Sequence, residues 1–178
     1  MLAHRATLSS ELRRGLEERL GPDPIHEIES AFNTGWVDAQ IHIALLDALH
    51  AELGSEGLQE YFCSVYVESL SRMPLVRTVV DATLRLFGAS PGHLAKTLPR
   101  VWHTLGRDVG SWNVAAGKGE AQVVLEGLPP DLARSTSYVW TFAGTFDGFF
   151  AQTRVDGEVR IEPGRWDEGN VTYDLSWN

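Results

Sequence analysis

Apolar residues recur every third or fourth position up to about residue 107, then every second position in two stretches separated by one more helical stretch. That order constrains the fold more than any motif, because side chains repeat every 3.6 residues on a helix and every two on a strand. No strand-helix-strand alternation exists in the first part, so a parallel sheet is disfavoured. The reading is an α+β fold within one domain, 1-178. A helical bundle over 1-107 precedes a ββαββ unit over 108-178, whose two hairpins flank one helix and form a four-stranded antiparallel sheet.

The helical part divides at proline, glycine and capping residues. Leucines 8, 12, 16 and 20 form a stripe that stops at Gly21-Pro22. Pro24 opens a helix carrying Ile25, Ile28 and Phe32, broken at Asn33-Thr34-Gly35. Val37 to Leu53 carries a broad apolar stripe at 37, 41, 45 and 49, ending at Gly54. Ser55 caps the next helix, with Leu58, Phe62, Val65 and Leu70. Pro74 starts another with Leu75, Val79 and Leu86, stopping at Gly88. Ser90-Pro91 begins the last, through Leu94, Leu98, Val101, Trp102 and Leu105, with a kink or break expected at Pro99.

The first hairpin alternates through Trp112 and Val114, turns at Ala116-Gly117-Lys118-Gly119 and alternates again through Ala121, Val123 and Leu125. A helix from about Asp131 to Gln152 has Val139, Phe142, Phe146, Phe149 and Phe150 on one side. Gly144 and Gly148 lie on another, where they permit close approach of the sheet or of a second subunit. The second hairpin pairs Val159 and Ile161 with Val171, Tyr173, Leu175 and Trp177, across a turn at 163-169. Thr172, Asp174 and Ser176 are expected in solvent.

Composition excludes several functions. A net charge of −9 disfavours a nucleic-acid partner, since phosphate binding needs clustered Lys and Arg. A lone cysteine, Cys63, allows no intrachain disulfide and no cysteine-built zinc site, and reads as a buried apolar filler. No stretch approaches a membrane span and the first residues lack a signal-peptide core, so a cytoplasmic protein is expected. There is no Gly-x-Ser-x-Gly elbow and no phosphate-binding Gly-rich loop, so no catalytic residue is assigned and an enzyme is not expected. Asp38 and His42, and Asp47 and His50, are spaced to share one helix face. Two ligands per pair are too few for a metal, and Glu27, Glu29 and Glu60 add no diagnostic spacing. Asp38, His42 and His50 are therefore weak metal candidates, and local pairing is the plainer reading.

The ending Leu-Phe-Gly-x-Ser-Pro of the helical part, the segment Tyr138-Val-Trp-Thr-Phe-Ala-Gly-Thr-Phe-Asp-Gly-Phe-Phe150 and the terminal Tyr-x-Leu-Ser-Trp together carry a resemblance. Their order resembles the fold shared by heme nitric-oxide-binding, 4-vinyl-reductase and TRAPP Bet3-type domains. It also looks similar to an uncharacterised group of about this length from predatory soil bacteria, of myxobacterial type. The resemblance implies a sensory module that binds heme, small apolar molecules or acyl groups between helices and sheet, or that assembles through its surfaces. Heme in that family is held by a histidine on the helix leading into the sheet and by a Tyr-x-Ser-x-Arg clamp. His103 occupies such a helix, but none of Tyr61, Tyr66, Tyr138 and Tyr173 begins the clamp. No cofactor is expected, heme being the one alternative.

Two functions follow as expectations, with an enzyme of unrecognised type as a third alternative. The first is a noncatalytic sensory or scaffold domain acting through a homodimer or a protein partner. The second is a binder of a small apolar ligand, with Trp102, His103, Trp112, Tyr138, Trp140, Phe142 and Phe146 lining an apolar or heme-type pocket. Aromatic residues at helical spacing are more often core than pocket, so the same rings are equally a prediction of packing.

Overall fold

The computed structural model describes residues 10-31, 37-72, 74-87, 89-162 and 166-178. Leu8, Phe32, the break at 33-35, the stop at Gly88 and the residues 163-165 lie outside them, as do the side chains of Ile28, Leu70, Leu75 and Leu105. The helices are α1 (Ser10–Leu20), α2 (Pro22–Ala31), α3 (Ala39–Arg72), α4 (Pro74–Phe87), α5 (Pro91–Ala95) and α6 (Leu98–Leu105). After strands β1 (Ser111–Ala116) and β2 (Glu120–Glu126) come α7 (Pro130–Arg134) and α8 (Thr136–Thr153), then β3 (Gly157–Ile161) and β4 (Val171–Trp177).

Helix boundaries depart from the sequence reading where a cap outranks the apolar stripe. The second helix begins at Pro22, not Pro24, so Gly21 at φ 75 is the whole connection. α3 starts after Asp38, whose Oδ1 accepts the Gln40 backbone N–H at 2.8 Å. Gly54 breaks it as read from the sequence: that residue leaves helical geometry at φ 69, ψ −179, so α3 is two helices joined at a kink. α5 and α6 are split just before Pro99, as its missing N–H requires. The expected helix 131-152 is two helices, because Ser135 leaves helical geometry and its Oγ accepts the Tyr138 N–H at 3.2 Å.

The sheet is antiparallel throughout, in the order β1-β2-β4-β3. Trp112 pairs with Leu125, and Leu125 with Val171; Val123 pairs with Tyr173, and Tyr173 with Ile161. One face is therefore a continuous apolar row, while Thr172, Asp174 and Ser176 fall on the other with Gln122, whose amide donates to Asp174 at 3.1 Å. Of these three, Ser176 is exposed and Thr172 and Asp174 are half-buried.

α8 lies between sheet and α3 and is buried on two sides. Phe146, Phe149 and Phe150 join Tyr173 and Leu175 in the core. The opposite side carries Gly144 and Gly148, which meet Gln59 and Tyr66 of α3. The close approach read from those glycines is thus made by α3, neither by the sheet nor by another subunit. The core takes residues from both parts of the chain, from Leu16, Leu46, Leu49 and Leu58 to Val123, Val139 and Tyr173.

Candidate functional site

Five of the seven expected pocket residues come together, and a sixth ring joins them. Trp102 on α6, Trp112 on β1, Tyr138, Phe142 and Phe146 on α8, and Tyr173 on β4 form one cluster of edge-on rings. Centroids are 5.5 Å apart for Trp102–Trp112, 5.0 Å for Trp112–Phe142, 5.1 Å for Tyr138–Phe142 and 5.0 Å for Phe146–Tyr173. Such contacts add roughly 0.5–1.5 kcal/mol each beyond area burial. Tyr173 was absent from the expected lining, although its place in the alternation 171-173-175 already assigns it to the inner face. Its hydroxyl donates to the Val139 carbonyl at 2.9 Å, fastening β4 to α8. Burial pushes the Tyr138 and Tyr173 hydroxyls far above the ordinary phenol value, so both stay protonated.

The remaining two candidates sit outside that cluster. His103 is exposed on α6, and Trp140 is half-buried against the core and outside the described ring contacts of the cluster.

Where α6 meets β1, an open cleft of about 390 Å³ is lined by Pro99, Trp102, His103, Arg107, Asp108 and Trp112, with Gly106, Gly110 and Ser111 supplying backbone. Trp102 donates through Nε1 to the Gly110 carbonyl at 3.0 Å. Trp112 Nε1 is buried and has no hydrogen-bond partner among the described residues. The cleft wall and the interior cluster thus share two residues, Trp102 and Trp112. A second surface depression, lined by Glu11, Arg14, Gly15, Glu18, Arg19 and Glu52, is polar, with Arg19 donating to Glu52 at 2.6 Å.

The weak metal candidates are engaged separately. Asp38 caps α3, and His50 Nε2 lies 2.9 Å from Ser55 Oγ. His42 stands edge-on to Tyr138 at 6.2 Å, its Nδ1 buried without a partner, and burial pulls the ring down to about 4. Asp47 accepts from Ser137 Oγ at the start of α8. Glu27 and Glu60 are exposed, and the Glu29 side chain is outside the described residues. Among the described residues no three His, Cys, Asp or Glu side chains converge. Cys63 is half-buried, not the buried filler expected. Burial, then the nearby Asp147 carboxylate, raises its thiol, the opposite of activation. Asp147 is itself raised by burial, against a hydrogen bond donated by Gln59 at 2.7 Å.

No helix among the described residues is long and apolar enough to cross a membrane. No family model and no curated protein sequence matches the chain. Its fold, in contrast, recurs in solved structures over nearly the full length. An Fe(II) unliganded H-NOX mutant from K. algicida superposes with a TM-score of 0.56 at 12% identity, covering 95% of this chain and 94% of that one. An H-NOX mutant from T. tengcongensis gives 0.53 at 12% identity, covering 94% of each chain. A structure described as probing heme distortion in the H-NOX family gives 0.56 at 13% identity, covering 94% and 91%.

These likenesses correct the expectation of no cofactor, because proteins of this fold have been solved as heme proteins. The residues of this chain do not fit that group as they are packed. Trp102, Trp112, Tyr138 and Phe142 fill the space between α6, α8 and the sheet with ring-to-ring contacts, and His103 faces solvent. No Tyr-x-Ser-x-Arg clamp exists to neutralise two propionates. Identity of 12–13% limits the comparison to architecture: the chain has the α+β fold of the H-NOX domains.

Proposed function

We propose that this chain is a noncatalytic sensory domain of the cytoplasm, which takes up a small apolar molecule in the cleft between α6 and β1. Occupancy is passed on through contacts with a second copy or a protein partner. The observation that carries the reading is the double membership of Trp102 and Trp112, which line the cleft and belong to the ring cluster. A molecule resting on the half-buried Trp102 ring bears on Phe142 directly, through centroids 5.6 Å apart, and by way of Trp112, 5.0 Å from Phe142. Through Phe142 it reaches Tyr138 and α8, the helix held against α3. The cleft volume lies in the range of about 300–1,000 Å³ typical of small-molecule sites. The fold also suits the role, since one structure sharing it is described in terms of H-NOX activation.

The test is native mass spectrometry of protein purified without denaturation, joined to light scattering of the same sample before and after the ligand is stripped. The reading expects a small-molecule adduct whose removal changes the assembly state or the capture of a partner. A preparation with no adduct, monomeric throughout and without a partner, contradicts it.

A further inference from the structure

The proposed cleft carries one unused chemical handle. Trp112 is 5% exposed, its Nε1 is buried, and no acceptor among the described residues receives that N–H. Trp102, the neighbouring ring of the same wall, is satisfied by Gly110, so the unmet donor is specific to Trp112. A buried donor without an acceptor is unfavourable, because it gave up its hydrogen bonds to water on folding, and natural cores rarely leave one so. Trp112 is also among the residues that line the cleft, so the indole that carries the donor stands at its wall.

We infer that the α6–β1 cleft recognises a planar, uncharged aromatic molecule bearing one hydrogen-bond acceptor, and that Trp112 Nε1 donates to that acceptor. The inference rests on the sensory reading above and specifies its ligand. Planarity follows from the wall, where the half-buried Trp102 indole and Pro99 offer flat apolar surface, with Trp112 packed edge-on behind Trp102. The lack of charge follows from the rim, where His103 and Arg107 stand with Asp108 and no single sign prevails. The N–H itself is covered, so binding requires Trp102 to shift away from the Gly110 carbonyl. α6 allows this, being eight residues long and bounded by the break before Pro99 and by the loop 106-110.

Quinoline and naphthalene test the inference as a matched pair, alike in shape but differing in one ring nitrogen. The Nε1–H resonances of the full chain, labelled with ¹⁵N at its indoles, are followed during titration with each compound. Trp112 is assigned by the signal lost in Trp112→Phe. The expected result is a downfield movement of the Trp112 N–H with quinoline alone, and binding about tenfold tighter than naphthalene, as one net hydrogen bond gives. Trp112→Phe should bind both compounds at the naphthalene level. Equal affinities in the unaltered protein, or a Trp112 N–H indifferent to quinoline, overturn the inference. If that happens while the native preparation carries an adduct, the sensory reading stands and only the acceptor assignment falls. If the adduct is also missing, both fall.

Discussion

Gly144 of α8 lies directly on the backbone of Gln59 in α3: a Cβ at 144 would overlap the Gln59 carbonyl and stand 2.8 Å from the Phe62 Cβ. A carbonyl within a helix cannot swing aside, so Gly144→Ala must separate the two helices. Overpacking of this kind costs about 1–3 kcal/mol, against about 1 kcal/mol gained from helix propensity. Gly148 faces the Tyr66 ring, where a Cβ would overlap its Cδ1, but a side chain yields more readily than the backbone carbonyl met at Gly144. Urea denaturation should show Gly144→Ala less stable by about 1 kcal/mol, the difference of those two effects, and Gly148→Ala affected less. The reverse order would contradict this account of the interface.

The start of α8 is held from across the helix pair. Ser137 Oγ donates to Asp47 and lies 2.9 Å from Ser135 Oγ, which caps the helix. A carboxylate here also suits the positive end of the helix. Asp47→Ala is expected to cost about 2 kcal/mol, as for a hydrogen bond to a charged partner. Combined with Ser137→Ala it should cost less than the two single losses summed, and strict additivity in denaturation would exclude the coupling.

His42 gives the fold an acid limit. Part of its side chain reaches the surface, but Nδ1 is buried and unpartnered, and burial lowers the ring from 6.5 to about 4. The folded state therefore prefers the neutral ring. Stability due to His42 is complete above 6.5, declines as pH falls below that value, and is gone below about 4. The loss reaches about 3 kcal/mol, at about 1.4 kcal/mol per pH unit. Asp147, raised by burial, acts in the opposite sense and is common to any pair compared. His42→Leu should match the parent at pH 7 within about 1 kcal/mol and lose less stability by pH 4.5. Parallel stability curves for the two proteins would show that His42 is not the titrating group.

Gly54 occupies φ 69, ψ −179, a backbone region open almost only to glycine, and nothing stands within 4 Å of where its Cβ would be. Gly54→Ala therefore reports backbone strain without a steric clash. Thermal unfolding should show a loss of about 1–3 kcal/mol. An unchanged midpoint would mean that the kink relaxes into a straight helix.

The ββαββ order, the faces of α8 and the sheet register were legible because period alone decides them: Tyr173 and Leu175 must share a face, and Phe146 must oppose Gly144. Helix ends were less legible, since Ser135 interrupts an apolar stripe only by virtue of Asp47 and Ser137, partners about 90 residues apart. The site was half legible. The candidate list found the cluster and, with His103, the rim of the adjoining cleft, but it also included Trp140, which stands apart, because spacing on a helix does not fix its rotation against a sheet. The sequence did carry a cue for a cofactor, the likeness to heme-binding domains with His103 on the helix before the sheet, but the missing Tyr-x-Ser-x-Arg clamp turned the reading away from it. Nothing local marks the Trp112 N–H as unpaired, for that depends on where Gly110 sends its carbonyl.

Amide hydrogen exchange, with and without saturating quinoline, tests most directly whether Trp102 and Trp112 join the cleft to the interior. Slowed exchange is predicted in β1 and also along α8 from Thr136 to Phe150, beyond any contact with the cleft. Protection confined to α6 and the loop at 106-110, or no change in α8, would contradict the coupling.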